Sequence, residues 1–199
     1  MRRVLLTFAI ALLAASAAAQ DVAKDAWQLD PANSSAQFSA RHLGISTVRG
    51  TFTKLSGTVH YDSLNVEKTS IEVTIQAASI DTGFEMRDRE LRGSNLLDVQ
   101  TYPTITFASK RIEAAGAGKL KITGDLTIHG VTKEVVLDAE GPSQVLIDPS
   151  GDRRMGASAT TKIRRTDFGM SGLPDIVGDE IGITLDVEMI KRLPRPKAV

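Results

Sequence analysis

The sequence predicts an all-β fold: an antiparallel sheet of about eight strands, rolled into an extended barrel and broken by one short helical insert. Three observations carry this. Apolar and polar residues alternate along most of the chain, the pattern of strands with one buried face. Gly and Pro cluster between those runs, at 114–118, 129–132, 141–142 and 148–151, where hairpin turns belong. The long stretch from Ser79 to Ser109 replaces alternation with a helical period.

At the start, Arg2 and Arg3 precede the apolar run Val4–Ala15 and the small residues Ala17, Ala18 and Ala19. A positive start, a run too short to span a bilayer and small residues for cleavage make residues 1–19 a secretory signal peptide. The expected product is an exported, periplasmic domain of 180 residues beginning at Gln20, with no stable membrane span. Its 22 basic and 24 acidic residues leave it slightly acidic, which argues against nucleic acid as a partner, where a basic face supplies most of the binding. The chain has no cysteine, so it has no disulfide, thiolate metal site, thiol nucleophile or lipidated cysteine. The length fits one domain, residues 20–192, followed by a basic, Pro-interrupted tail at 193–199.

The strands follow in order. Ser35–His42 puts Ala36, Phe38, Ala40 and His42 on one side, and Leu43-Gly44-Ile45 makes a bend. Thr47–Tyr61 reads as one long strand whose apolar side switches between Phe52 and Leu55, with a bulge near Lys54 that Gly57 allows. Ile71, Val73, Ile75 and Ala77 alternate cleanly. After the insert come Ile105 and Phe107, then Leu120–Ile128, Glu134–Ala139, Met155–Ile163 and Ile181–Met189. A sheet this long leaves two exposed edges unless it closes on itself.

Within the insert, Thr82 and Glu85 have capping-box spacing, helix formers run from Phe84 to Arg92, and Gly93 suits a left-handed cap. Phe84, Arg87, Asp88 and Leu91 share a face. Two readings follow. The helix is either pinned by Glu85–Arg89 and Asp88–Arg92 pairs, or it is a lid offering Arg87 and Asp88 to a cavity.

Alternation turns Ala36, Ala40, Ala77, Gly124, Ala139, Ala157 and Ala159 inward, and only 5% of the chain is aromatic. An eight-stranded barrel lined by small residues can be hollow enough for one ligand. The same residues could instead pack against large neighbours across the sheet.

Several blocks resemble the YceI-like family. They are Trp27–Asp30, Phe38–Ser46, Val48–Phe52, Ala78–Gly83, Arg87-Asp88, Leu96–Val99, Tyr102–Phe107, Gly124–Thr132 and Asp167–Met170. They fall in order and span the chain after the signal peptide. The resemblance implies an extended lipocalin-like barrel, usually periplasmic, that binds a long-chain amphiphile, typically a polyisoprenoid, in an apolar lumen. The chain departs from the family at Asn33-Ser34, where His-Ser is usual. Asn cannot carry positive charge, which puts head-group preference in question.

Other motifs fail on spacing. Gly116-Ala117-Gly118-Lys119 has Glu113 and Leu120 where a phosphate loop needs Gly and Ser or Thr. Gly169–Leu173 lacks a nucleophile elbow's second Gly. His42, His60 and His129 lack paired metal-ligand spacing. Two function classes remain. One is a carrier, needing no cofactor beyond a bound polyisoprenoid or quinone-like lipid. It would be lined by Phe38, Ala40, Phe52, Ile71, Val73, Ile75, Phe107, Leu126, Ile183 and Leu185, with His42, Arg49, Arg87 and Asp88 as polar groups near a mouth. The other is a hydrolase or isomerase for such a lipid, using His42 and Asp88. The partner in both is a long-chain apolar small molecule. A homodimer stays open.

Overall fold

The computed structural model describes residues 26–193. The signal-peptide reading and almost all of the tail lie outside them. Among the described residues, twelve strands form one antiparallel sheet that closes into a barrel. They are β1 (Trp27–Leu29), β2 (Ser35–His42), β3 (Ser46–Phe52), β4 (Leu55–His60), β5 (Ser70–Gln76), β6 (Ile80–Asp81), β7 (Thr104–Ala114), β8 (Lys119–Ile128), β9 (Val131–Glu140), β10 (Leu146–Ile147), β11 (Arg153–Arg164) and β12 (Val177–Lys191). The helix α1 (Glu85–Arg92) stands between β6 and β7.

Twelve strands reduce to eight staves, because the first three staves are each broken in two. β1 and β2 lie end to end along one edge of β12. β3 and β4 continue each other, β3 against β2 and β4 against β1. β5 and β6 form the third broken stave, against β4 and β3. The unbroken β7, β8, β9, β11 and β12 complete the ring. β11 pairs with β12 along its whole length, but with β9 only from Ser158 to Thr160. Among the described residues, closure leaves two short strands paired on one side only, β10 against β11 and β6 against β3.

Between Phe52 and Leu55 the side switch is present, but the strand is interrupted, not bulged. The Thr53 N–H donates to Ser79 O at 3.1 Å, and Lys54 O accepts from the Gln76 N–H at 2.9 Å. The two neighbouring staves therefore break at the same level. Gly57 has another task. It pairs with Val73, and a Cβ there would stand 2.5 Å from Leu29 Cδ1, so its bare backbone lets Leu29 cross.

The insert departs from its sequence reading in three ways. There is no capping box: Phe84 is the N-cap and no side chain caps it, while Thr82 turns to Asp88. Gly93 is extended at φ −70°, and after the helix the left-handed position falls at Asp98, φ 43°. The pairs Glu85–Arg89 and Asp88–Arg92 give way to Glu85–Arg92 at 3.4 Å. The physical reason is burial. After α1 the chain folds back, with Leu97 N–H to Leu91 O at 3.1 Å and Val99 N–H to Arg92 O at 3.2 Å. That path sinks Leu96, Leu97 and Val99 into the core and overrides local capping preference. With Ile80, Ile128, Phe168 and Met170, Leu97 and Val99 belong to a buried cluster at the end of the barrel that carries α1.

Candidate ligand-binding cavity

The barrel encloses a cavity of about 280 Å³, roughly twenty times the space one water needs. Its wall runs from Tyr61, Val66, Leu120 and Pro142 at one end to Ala40, Leu91, Leu97 and Val177 at the other. The lining is overwhelmingly alkyl and aromatic carbon. The structure places Phe38, Ala40, Phe52, Ile71, Val73, Ile75, Phe107, Leu126, Ile183 and Leu185 on this wall.

The space survives because large side chains lie flat. Phe38 pairs with Gly50 across β2 and β3, and a Cβ on Gly50 would stand 2.5 Å from Phe38 Cζ. Phe107 pairs with Leu126 across β7 and β8 and its ring reaches diagonally over Gly124, where a Cβ would stand 2.5 Å from Phe107 Cζ. Each glycine is a slot that holds a ring against the wall, a pairing known to rescue glycine in strands. Ala36, Ala139, Ala157 and Ala159 keep other parts of the wall thin. Ala77 does not line the cavity; it is buried in the cluster at the α1 end.

The four polar candidates are not on the wall. Arg49 is exposed and pairs with Ser39 on the outer face, because Val48 and Gly50 take the inward positions. Asp88 is buried, but its Oδ1 accepts from the Thr82 N–H at 3.0 Å and from the Thr82 hydroxyl. Arg87 serves the same turn. Its Nε donates to Thr82 Oγ1 at 2.7 Å and its Nη2 to Thr82 O at 2.9 Å, with its guanidinium 5.7 Å from the Phe84 ring centre. The insert does close the cavity, through Leu91, Leu96 and Leu97 and not through a charged group.

His42 sits half-buried on the last rung of β2, between Val177 and Ser46. Thr82, which holds Asp88, reaches β3 at Gly50, four residues from Ser46. At the rise of a strand that separates the two sites by about 13 Å, so His42 and Asp88 do not form a pair. Asn33 is exposed in the turn between β1 and β2, and its Nδ2 donates to Asp30 Oδ2 at 3.1 Å.

The sequence reading missed Arg165, which is buried and lies on the wall at the α1 end. Its Nε donates to Gly178 O at 3.2 Å, its Nη2 to Val177 O at 2.9 Å, and its Nη1 to Gly172 O at 2.8 Å and to Met170 O. Four carbonyls thus satisfy the cation and tie residues 170–178 across the barrel end. Counting in twos from Ile163 turns Arg165 inward, so alternation held the signal. The opposite end offers Tyr61, Thr69 and Glu140.

On the outer wall, Arg154 gathers Asp30 at 2.6 Å, Asp148 at 2.7 Å and Glu188. The bond to Arg154 is the main reason that the Asp148 and Asp30 carboxyls are held below their ordinary range. The same bonds, that to Asp148 foremost, push Arg154 upward. This cluster ties the β1–β2 break to β10, β11 and β12. Among the described residues, no group of three or more His, Asp or Glu could hold a metal ion, and no helix is long and apolar enough to cross a membrane.

A family model described as the YceI-like domain matches residues 27–189. The chain is 36% identical to Protein YceI of Escherichia coli O157:H7 over 189 residues, 94% of this chain and 96% of that one. The crystal structure of BcnA from Burkholderia cenocepacia superposes with a TM-score of 0.71 at 27% identity, over 80% of this chain and 98% of that one. A polyisoprenoid binding domain from Saccharophagus degradans, implicated in plant cell wall breakdown, shares the fold at a TM-score of 0.62 and 17% identity, over 82% and 97%.

Proposed function

The chain belongs to the YceI-like domain family, and on that premise we propose that it is an exported carrier. It holds one long-chain amphiphile in the barrel, for transport, storage or sequestration. The cargo class is a polyisoprenoid, an isoprenoid quinone or a fatty amide. The observation that carries this reading is the alkyl-lined cavity running along the barrel. Each methylene moved from water into such a wall gains about 0.8 kcal/mol, so a long tail supplies affinity without catalysis. That a related fold is described as polyisoprenoid binding supports the cargo class. An enzyme built on His42 and Asp88 has no support in their placement, since Asp88 is spent on Thr82.

The test is extraction. The chain is produced with its leader in a bacterium, recovered from the periplasmic fraction, extracted with organic solvent, and the extract weighed by mass spectrometry. A carrier yields a lipid in near-equal molar amount. A chain without extractable lipid that also fails to bind apolar dyes is a solid barrel, and the proposal falls.

A further inference from the structure

The β2–β3 hairpin ends in a turn that is costly for the chain by itself. The Ile45 N–H donates to His42 O at 2.9 Å, so Leu43 and Gly44 are the two central residues. Their φ angles are 50° and 67°, the signature of a type I′ turn, whose first central position favours Asn, Asp or Gly. A leucine in the left-handed region is strained. This leucine is also 52% exposed, with Ile45 beside it at 79%. The Leu43 N–H donates to Ile176 O at 2.8 Å, which brings a third apolar side chain, 40% exposed, to the same tip.

The tip is held in shape. Arg41 donates through Nη2 to Gly44 O and to Ile45 O at 2.9 Å, and through Nη1 to Thr47 Oγ1 at 3.0 Å. Neither Arg41 nor Arg49, exposed on the outer face of the hairpin, meets a carboxylate among the described residues. The nearby acids are Asp175, Asp179 and Glu180. Asp179 accepts from Thr166 at 2.7 Å, and Glu180 pairs with Lys162 at 2.8 Å. The Thr166 bond leaves the charge of Asp179 in place, and Arg164 and Arg165 are the cations that meet it. Among the described residues that leaves Asp175 against Arg41 and Arg49, so the tip keeps a positive surplus. The cavity wall ends at Ala40 and Val177, and Ala40 is three residues from Leu43, about 10 Å along the strand.

We infer that this tip docks on the surface of an anionic phospholipid bilayer, with Leu43, Ile45 and Ile176 entering the acyl boundary and Arg41 and Arg49 facing the head groups. A rigid apolar wedge with flanking cations is what an interfacial anchor needs. Docking takes the strained leucine out of water and brings one end of the cavity to the lipid. The purpose rests on the carrier reading; the geometry does not.

The experiment is co-sedimentation of the purified chain with vesicles of phosphatidylcholine alone and of phosphatidylcholine with equal parts phosphatidylglycerol. The wild type is expected to sediment with both and more strongly with the anionic set. Leu43→Asn restores the residue the turn prefers, so that variant stays folded. It is expected to weaken partitioning about tenfold, as is Ile45→Ser, on the scale of keeping one Leu or Ile side chain in water. A wild type that ignores both vesicle types, or one whose partitioning both variants leave unchanged, overturns the inference. So does a tip that instead joins two copies of the chain, seen as a dimer that Ile45→Ser dissolves. A chain that carries extractable lipid yet ignores vesicles loses this inference and keeps the carrier. Vesicle binding without any cargo does the reverse.

Discussion

Gly50→Ala tests how the barrel stays hollow. The new methyl would meet Phe38 Cζ at 2.5 Å, Phe38 Cε1 at 2.7 Å and Thr82 Cγ2 at 2.8 Å. All three are side-chain atoms, and Gly50 has no left-handed φ to lose, so the backbone accommodates alanine and the ring must move. Reaching ordinary carbon contact at 3.5–4.0 Å takes about 1 Å or more of displacement. Thr82 is held by Asp88 and Arg87, so the open direction for Phe38 is the cavity. Overpacking of this kind costs about 1–3 kcal/mol, a fall in melting temperature of roughly 2–12 °C for a domain this size. The assay is a thermal melt of delipidated protein beside the molar lipid yield of protein as purified. Both should fall. Adding Phe38→Leu should return most of the stability and the load, because the methyl then meets a shorter side chain. If Gly50→Ala changes neither quantity, or if Phe38→Leu fails to rescue it, the slot explanation is wrong.

Other outcomes follow from the same geometry. Ile183→Lys, on the cavity wall, should abolish lipid load and lower the melting temperature by many degrees, whereas Thr184→Lys, exposed one residue on, should stay within about 0.5 kcal/mol of wild type in urea melts. Ala157→Trp should fill the lumen and displace lipid while the far-ultraviolet circular dichroism stays unchanged; unfolding would mean solid packing there. Asp88→Ala strands two Thr82 donors and should cost about 1–3 kcal/mol, equally in empty and loaded protein; a selective loss of cargo would put Asp88 at the ligand after all. The carboxyls of Asp148 and Asp30 are depressed in the folded state, so their contribution is present above the unfolded carboxyl value of about 3.9 and is lost as pH falls toward the folded value. Urea melts should therefore show Arg154→Met less stable than wild type at neutral pH, with the gap narrowing below about pH 4. A constant gap would mean the cluster is not titrating.

What was legible follows from period. A side chain's face in a strand is fixed by counting in twos, so the wall residues from Phe38 to Leu185 were readable without knowing which strands touch. The breaks were not. A run such as Thr47–Tyr61 looks the same whether its switch is a bulge or two strands, because the difference lies in distant partners such as Ser79 and Gln76. The insert was harder still. Thr82 and Glu85 satisfy a local rule, but the chain spends Thr82 on Asp88 so that Leu91, Leu96 and Leu97 can close the barrel. Charged residues beside a predicted opening were the weakest inference. Arg87 and Asp88 have enough nearby backbone and hydroxyl groups to be satisfied by the protein itself. Arg165 is turned inward by the same count from Ile163, but arginine is almost never fully buried unless paired, and its partners are the carbonyls of Met170, Gly172, Val177 and Gly178, which only the folded chain brings to it.

Stability and emptiness are usually opposed, since interiors pack to crystal density and a dry void loses contacts on one side. This chain separates the two by place. Large side chains are packed in buried clusters, around Phe168, Met170, Leu97 and Ile128 at the α1 end and, elsewhere in the barrel, around Trp27, Met155 and Met189 and around Ile112, Ile122 and Leu137, while alanines and rings laid over glycine thin the wall that faces the cavity. The cap and the outer Arg154 cluster can then hold the fold whether or not the middle is filled, and a guest adds its contacts to a barrel already closed. If that division is correct, delipidated protein should remain folded and reload. A chain that unfolds whenever its lipid is removed would show that the cargo is part of the core.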